Sequence, residues 1–147
     1  MAIIAAGVVA VLSTTLPWFS YSWDSGSSSL SSSLVGLHDV TGRTMFFAGA
    51  AEALFALGYL FAHPGIAKRL LRIGMVLLAF YMITVPVAAM AHANAVPGSP
   101  AVDVPAGAVK VDATGAIGAV IALVAALVVL GASWLTVLDS VGETAPD

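Results

Sequence analysis

One carboxylate sits in the middle of a long apolar run. Arg43 to His63 reads RTMFFAGAAEALFALGYLFAH, with Glu52 near its centre. The run matches the thickness of a bilayer's hydrocarbon core. A charge at mid-depth costs roughly 2.5–3.5 kcal/mol on insertion scales, so such groups turn toward protein or water. Helical spacing supplies the direction. Met45, Ala48, Gly49, Glu52, Ala56, Tyr59 and His63 share one face, mostly small or polar, which suits contact with other helices. Phe47, Ala50, Leu54, Leu57 and Phe61 share the opposite, bulkier face, which suits lipid. Glu52 is therefore expected in a helix–helix seam. Its nearest polar candidates are Tyr81 and Thr84 in the third apolar segment and Ser13 and Thr14 in the first. This intramembrane polar contact reads foremost as a hydrogen-bonded structural glue. A proton, ion or ligand site is the alternative, and a salt-bridge partner from another subunit is a third.

The other chemistry-bearing residues make no comparable constellation. His38 and His92 fall near one membrane face and His63 near the other. A His38–His92 pair with Asp39 or Asp103 is a weak metal candidate, and bis-histidine haem ligation has nothing to orient it. No phosphate loop, nucleotide fingerprint, zinc motif or catalytic triad pattern is present. The expectation is thus no catalytic residue, no metal, no cofactor and no enzyme.

Composition sets the class. The chain has 147 residues, 60% hydrophobic and 9% charged, with a mean hydropathy of +1.03. Soluble domains carry about 25% charged residues, so this reads as an integral membrane protein with no separate extramembrane domain. A net charge of −3 with five Lys or Arg gives no electrostatic footprint for nucleic acid, and no soluble substrate is suggested. The absence of cysteine excludes disulfides and thiolate chemistry within the chain.

Four elements must position Glu52. Spans are expected at about 2–21, 43–63, 70–93 and 114–138, with outer loops 22–42 and 94–113 and an inner turn 64–69. Trp18, Phe19, Tyr21 and Trp23 read as an interfacial aromatic cluster ending span one. A signal peptide is the rival for that segment, but it lacks a basic leading region and a clear cleavage site. An upstream basic segment would complete the pattern, so Met1 need not be the natural start. The first loop is Ser- and Gly-rich and reads as a flexible connection. Asp39-Val40-Thr41-Gly42 caps the start of span two, where Arg43 can snorkel to headgroups. Pro64 and Gly65 break the helix before Lys68, Arg69 and Arg72, the only basic cluster. The positive-inside rule makes that turn and both termini cytoplasmic. Pro86 is expected to kink span three.

The second loop contains Pro97, Pro100 and Pro105 and reads mainly as an irregular connection. A small hairpin pairing Ala101–Val104 with Ala108–Val111 is the alternative. Gly115, Gly118, Ala122 and Ala126 form a close-packing stripe on span four. Trp134 marks the inner interface, and 139–147 is an acidic tail. Asp112-Ala113-Thr114-Gly115 echoes Asp39-Val40-Thr41-Gly42, which fits either two related helix hairpins or simple cap chemistry. The position matching Glu52 in the second half is near Ala125.

Leu16-Pro17-Trp18 at the outer end of span one, a polar loop, a glycine opening span two and the basic Pro64–Arg72 turn resemble small actinobacterial four-span membrane proteins of the tryptophan-associated type. That group has no established biochemical activity, so the resemblance implies a layout and no site residue. The expected fold is all-α, a four-helix transmembrane bundle running up-down-up-down as one domain over 1–147. The expected role is a non-catalytic accessory subunit of a larger membrane protein complex, of respiratory or other energy-transducing type, in the bacterial plasma membrane. Its partners would be the lipid bilayer and other membrane protein subunits. The alternative is a small oligomeric transporter or channel using Glu52 as a proton or cation site.

Overall fold

The computed structural model describes residues 1–24, 29–95 and 110–142. Four helices pack in a ring: α1 (Ala2–Ser13), α2 (Val40–Phe61), α3 (Ile66–Ala95) and α4 (Ile117–Gly142), each touching the next and α4 closing onto α1. The end of α1 and the starts of α2 and α4 meet at one end of the bundle, and the Pro64 turn lies at the other. These are called the sheet end and the turn end.

Helices α2, α3 and α4 are long and apolar enough to cross a membrane. Their outward faces carry exposed Phe47, Leu54, Phe61, Leu77, Phe80 and Leu127, a belt that only a non-aqueous surrounding accommodates cheaply. By length and composition these three helices are of the kind that spans a membrane.

Helix α1 corrects the expected first span. It has 12 residues, about 18 Å of rise, against the ~30 Å of a hydrocarbon core. The hydroxyls of Ser13, Thr14 and Thr15 donate to the carbonyls of Ala10, Val11 and Leu12, saturating the last turn. Pro17 then disfavours helix at Leu16.

Beyond α1 the chain forms a sheet, where its serine-rich composition predicts a flexible loop. Strand β1 (Pro17–Asp24) pairs antiparallel on one side with β2 (Ser29–Val35) and on the other with β3 (Lys110–Gly115), giving the order β2-β1-β3. Residues 101–109, all but the last two residues of the hairpin considered in the second loop, lie outside the described residues, while Lys110 and Val111 pair with Asp24 and Trp23 of β1. The two cap sequences also part company. Asp39 does cap α2, accepting from the Thr41 amide at 2.8 Å and from the Thr41 hydroxyl. Asp112 to Gly115 instead form β3, and α4 starts at Ile117. Arg43, exposed at the start of α2, donates from Nε to the Leu37 carbonyl at 2.8 Å.

Trp18 joins sheet to bundle. The β1–β2 register slips between Pro17 and Phe19, so Trp18 sits in a bulge. A bulge re-aims a side chain, and here Trp18 and Phe19 are both buried in the bundle's end. The indole Nε1 donates to the Ser13 carbonyl at 3.0 Å. A Cβ on Gly36 or on Gly118 would approach Trp18 Cδ1 to 2.6 Å, so both glycines lie against the ring. Trp18 is therefore a core residue and not the interfacial anchor its sequence context suggests.

Glycines also let backbones touch elsewhere. Gly7 and Gly49 face each other across α1 and α2, a Cβ on either coming to 2.9 Å from the other's carbonyl oxygen. Gly42 is tighter still, because a Cβ there would overlap the backbone carbonyl group and Cα of Gly36. Backbone cannot rotate away as a side chain can, so Gly42→Ala is expected to abolish stable folding. Gly131 has nothing within 4 Å of an added Cβ, and Gly131→Ala is expected to leave stability unchanged or raise it by up to about 1 kcal/mol. Thermal unfolding in detergent distinguishes the two.

The core is built from small residues and methionine. Ala6, Ala10, Ala79, Ala122 and Ala126 line the interior, while Met45, Met75 and Met82 fill the gaps between them. Helix α3 runs unbroken through the buried Pro86. An apolar groove of about 480 Å³ runs between α1 and α4, lined by Ala5, Val9, Val124 and Val128 among others.

Candidate functional site

Helix α2 carries its faces as its spacing dictates. Met45, Ala48, Gly49, Glu52 and Ala56 are buried, Tyr59 is half-buried, and Phe47, Leu54, Leu57 and Phe61 are exposed. His63 lies beyond the helix end and is exposed. Glu52 itself is 0% exposed. The Gly7–Gly49 and Gly74–Phe55 contacts set the helix registers. They put Glu52 level with Ala6 of α1 and between Met75 and Ala79 of α3, all buried and apolar.

The polar partners anticipated for Glu52 lie elsewhere. Tyr81 and Thr84 occupy the outward face of α3, and the Thr84 hydroxyl donates to the Tyr81 carbonyl. Ser13 and Thr14 are buried, but seven or more residues beyond the level of Ala6, about 10 Å of helical rise toward the sheet end. Their hydroxyls are already bonded within α1. The group that does approach the carboxyl is Ser133 of α4, reaching across the bundle axis. It approaches without completing a hydrogen bond: Oε1 and Oε2 of Glu52 and Oγ of Ser133 are all buried with no hydrogen-bond partner among the described residues. The packing stripe on α4 pointed toward this position. Gly118, Ala122 and Ala126 are buried, and continuing their face by seven residues from Ala126 reaches Ser133.

A second polar cluster lies toward the turn end. Tyr59, seven residues after Glu52 on the same face, accepts a 3.1 Å hydrogen bond from Arg72 Nη2. Lys68 Nζ stands 4.9 Å from the Tyr59 ring centroid and the Arg72 guanidinium 5.6 Å from it. Lys68 and Arg69, expected in the turn, belong to the first turn of α3.

No family model, characterised protein or solved structure matches the chain. The chemistry must be read from the geometry alone. A buried carboxyl and a buried hydroxyl, neither hydrogen-bonded among the described residues, can hold a proton or accept a donor brought to them. Among the described residues no three His, Cys, Asp or Glu side chains gather to hold a metal ion. His38 is exposed in the 3₁₀ turn Gly36–His38, and the side chain of His92, its suggested partner, lies outside the described set.

Proposed function

We propose that this chain is a non-catalytic accessory subunit that docks onto a larger membrane protein complex through its sheet. The observation that carries the reading is the strand order β2-β1-β3. Among the described residues nothing pairs with the outer edge of β2, where Ser31, Ser32 and Ser33 are exposed. An unpaired edge is a template for another strand, and main-chain hydrogen bonds along it need no particular side chain. Trp18 and its flanking glycines hold this edge rigidly to the bundle, so docking there fixes the subunit's orientation. The basic Pro64–Arg72 segment supports a cytoplasmic turn end, with the sheet on the outer face. The resemblance carried by Leu16-Pro17-Trp18 supports a bacterial plasma membrane.

Purification in mild detergent tests the docking. The expected result is a co-purifying membrane protein that is lost in the Ser31→Lys/Ser33→Lys variant, because lysines on an edge strand block strand addition. Isolation of the unmodified chain as a lone monomer would count against it.

A second reading, a small transporter or channel that uses Glu52 as a proton or cation site, is favoured by one observation. Both carboxyl oxygens are buried in the bundle's interior with no hydrogen bond among the described residues. An intramembrane ionisable group kept in that state is a functional hypothesis in its own right.

A further inference from the structure

We propose that Lys68, Arg72 and Tyr59 form a seat for a phosphate group at the turn end of the α2–α3 hairpin. Of the five Lys and Arg in the chain, three fall within residues 68–72. Lys68 and Arg72 are half-buried and both lean on the Tyr59 ring, so two like charges share one aromatic surface. Neither meets a carboxylate among the described residues; their contacts are with Tyr59.

Arg72 is only partly satisfied. Nη2 donates to the Tyr59 hydroxyl, while Nε is buried with no hydrogen-bond partner among the described residues. That hydroxyl still has its own proton to donate. The cluster thus offers donors from a guanidinium, an ammonium and a phenol, and no acceptor beyond the one Tyr59 already uses. Phosphate oxygens are the complement to such a set.

The helix argues the same way. These cations occupy the first two turns of α3, with no acidic residue in the first turn. Positive side chains at a helix N-terminus oppose its dipole, and an anion there reverses the penalty.

Depth points to where the phosphate comes from. The cluster adjoins the end of α2, and the same hairpin carries exposed Phe61, Leu70 and Ile73. A group held there lies where apolar helix surface gives way to water, the level of lipid headgroups. Basic pockets between helices at that level bind anionic headgroups, whose chains would lie along the apolar faces. A free phosphate anion offers the same oxygens without the chains.

The test uses the purified full chain in micelles containing equal amounts of phosphatidylcholine and phosphatidylglycerol, with retained lipid read by native mass spectrometry. Phosphatidylglycerol is expected to be retained preferentially. Lys68→Gln and Arg72→Gln should each lower that preference about five-fold, while Arg43→Gln, at the other end of α2, leaves it unchanged. Inorganic phosphate in large excess separates the sources. Persistence of the lipid adduct assigns the seat to a headgroup, and its replacement by a phosphate adduct assigns it to the free anion. Equal retention of the two lipids with no phosphate adduct overturns the proposal. So does an Arg43→Gln loss as large as that of the seat variants, which would mean diffuse charge attraction. Should Arg72→Gln lower the unfolding temperature, Lys68→Gln decides alone, since Lys68 Nζ contacts the face of the Tyr59 ring and among the described residues makes no hydrogen bond.

Discussion

Trp18→Ala lowers the stability of the bundle by about 3–5 kcal/mol, the range for emptying a fully buried aromatic site. For a chain of this length that corresponds to a fall in unfolding temperature on the order of 10 °C. The size of the effect comes from the position. The indole is 0% exposed. It lies against Gly36 and Gly118, which precede α2 and open α4, and it bonds to the end of α1. Removing it opens a void bordered by backbone that cannot collapse inward. Trp18→Phe separates the contributions, because it keeps most of the ring and loses the Ser13 hydrogen bond, a further cost of roughly 1 kcal/mol. Thermal unfolding in detergent, followed by circular dichroism, measures both. An unchanged unfolding temperature for Trp18→Ala would show that the sheet and bundle are joined by something other than this side chain.

Glu52→Met changes stability in the opposite direction. The carboxyl oxygens are buried with no hydrogen-bond partner among the described residues, and an unsatisfied buried polar group costs about 1–3 kcal/mol. Methionine has similar length and no such requirement, so the variant is expected to be more stable by that amount. Glu52→Gln keeps an under-bonded polar head and is expected to change stability little. A destabilised Glu52→Met would mean that the carboxyl is bonded by water or by a partner subunit in the working protein. Function separates from stability in the same series. If Glu52 is a proton or cation site, Glu52→Gln abolishes pH-dependent flux in liposomes while assembly is retained. Unaltered flux in the variant, or none in the unmodified chain, rules that role out.

The faces of α2 were legible because its apolar run is interrupted. Glu52, Gly49 and Ala48 against Phe47, Leu54 and Leu57 give a helical phase without any tertiary information. The Asp39 cap was legible for a similar reason, since a short carboxylate two residues before a Thr amide bonds locally. Helix α3 offered no such phase. Between Ile73 and Phe80 it is apolar on every side, so nothing in its pattern says whether Tyr81 faces inward or outward. Only the contacts with α2 and α4 turn it outward.

The sheet had a signal that composition masked. Phe19-Ser20-Tyr21-Ser22-Trp23 alternates aromatic and serine with the period of a strand. Its partner, Ser29 to Val35, is rich in serine and lacks strand propensity of its own. Pairing supplies what propensity does not, because backbone hydrogen bonds form whatever the side chain. The third strand arrives from the other half of the chain, and local reading cannot anticipate it. The likeness of Asp112-Ala113-Thr114-Gly115 to the α2 cap misled for the same reason: identical local chemistry serves a helix start in one place and a strand in the other.

The sequence by itself determined the class, the bounds of the three long apolar helices to within a few residues, and the burial of Glu52. These rest on hydropathy and helical period, which are properties of neighbours along the chain. The tertiary structure alone decided that Ser133 meets Glu52, that Trp18 closes the bundle, and that Lys68 and Arg72 share Tyr59. Each depends on helix register and on how closely glycine lets two backbones approach, distances set between segments far apart in the chain.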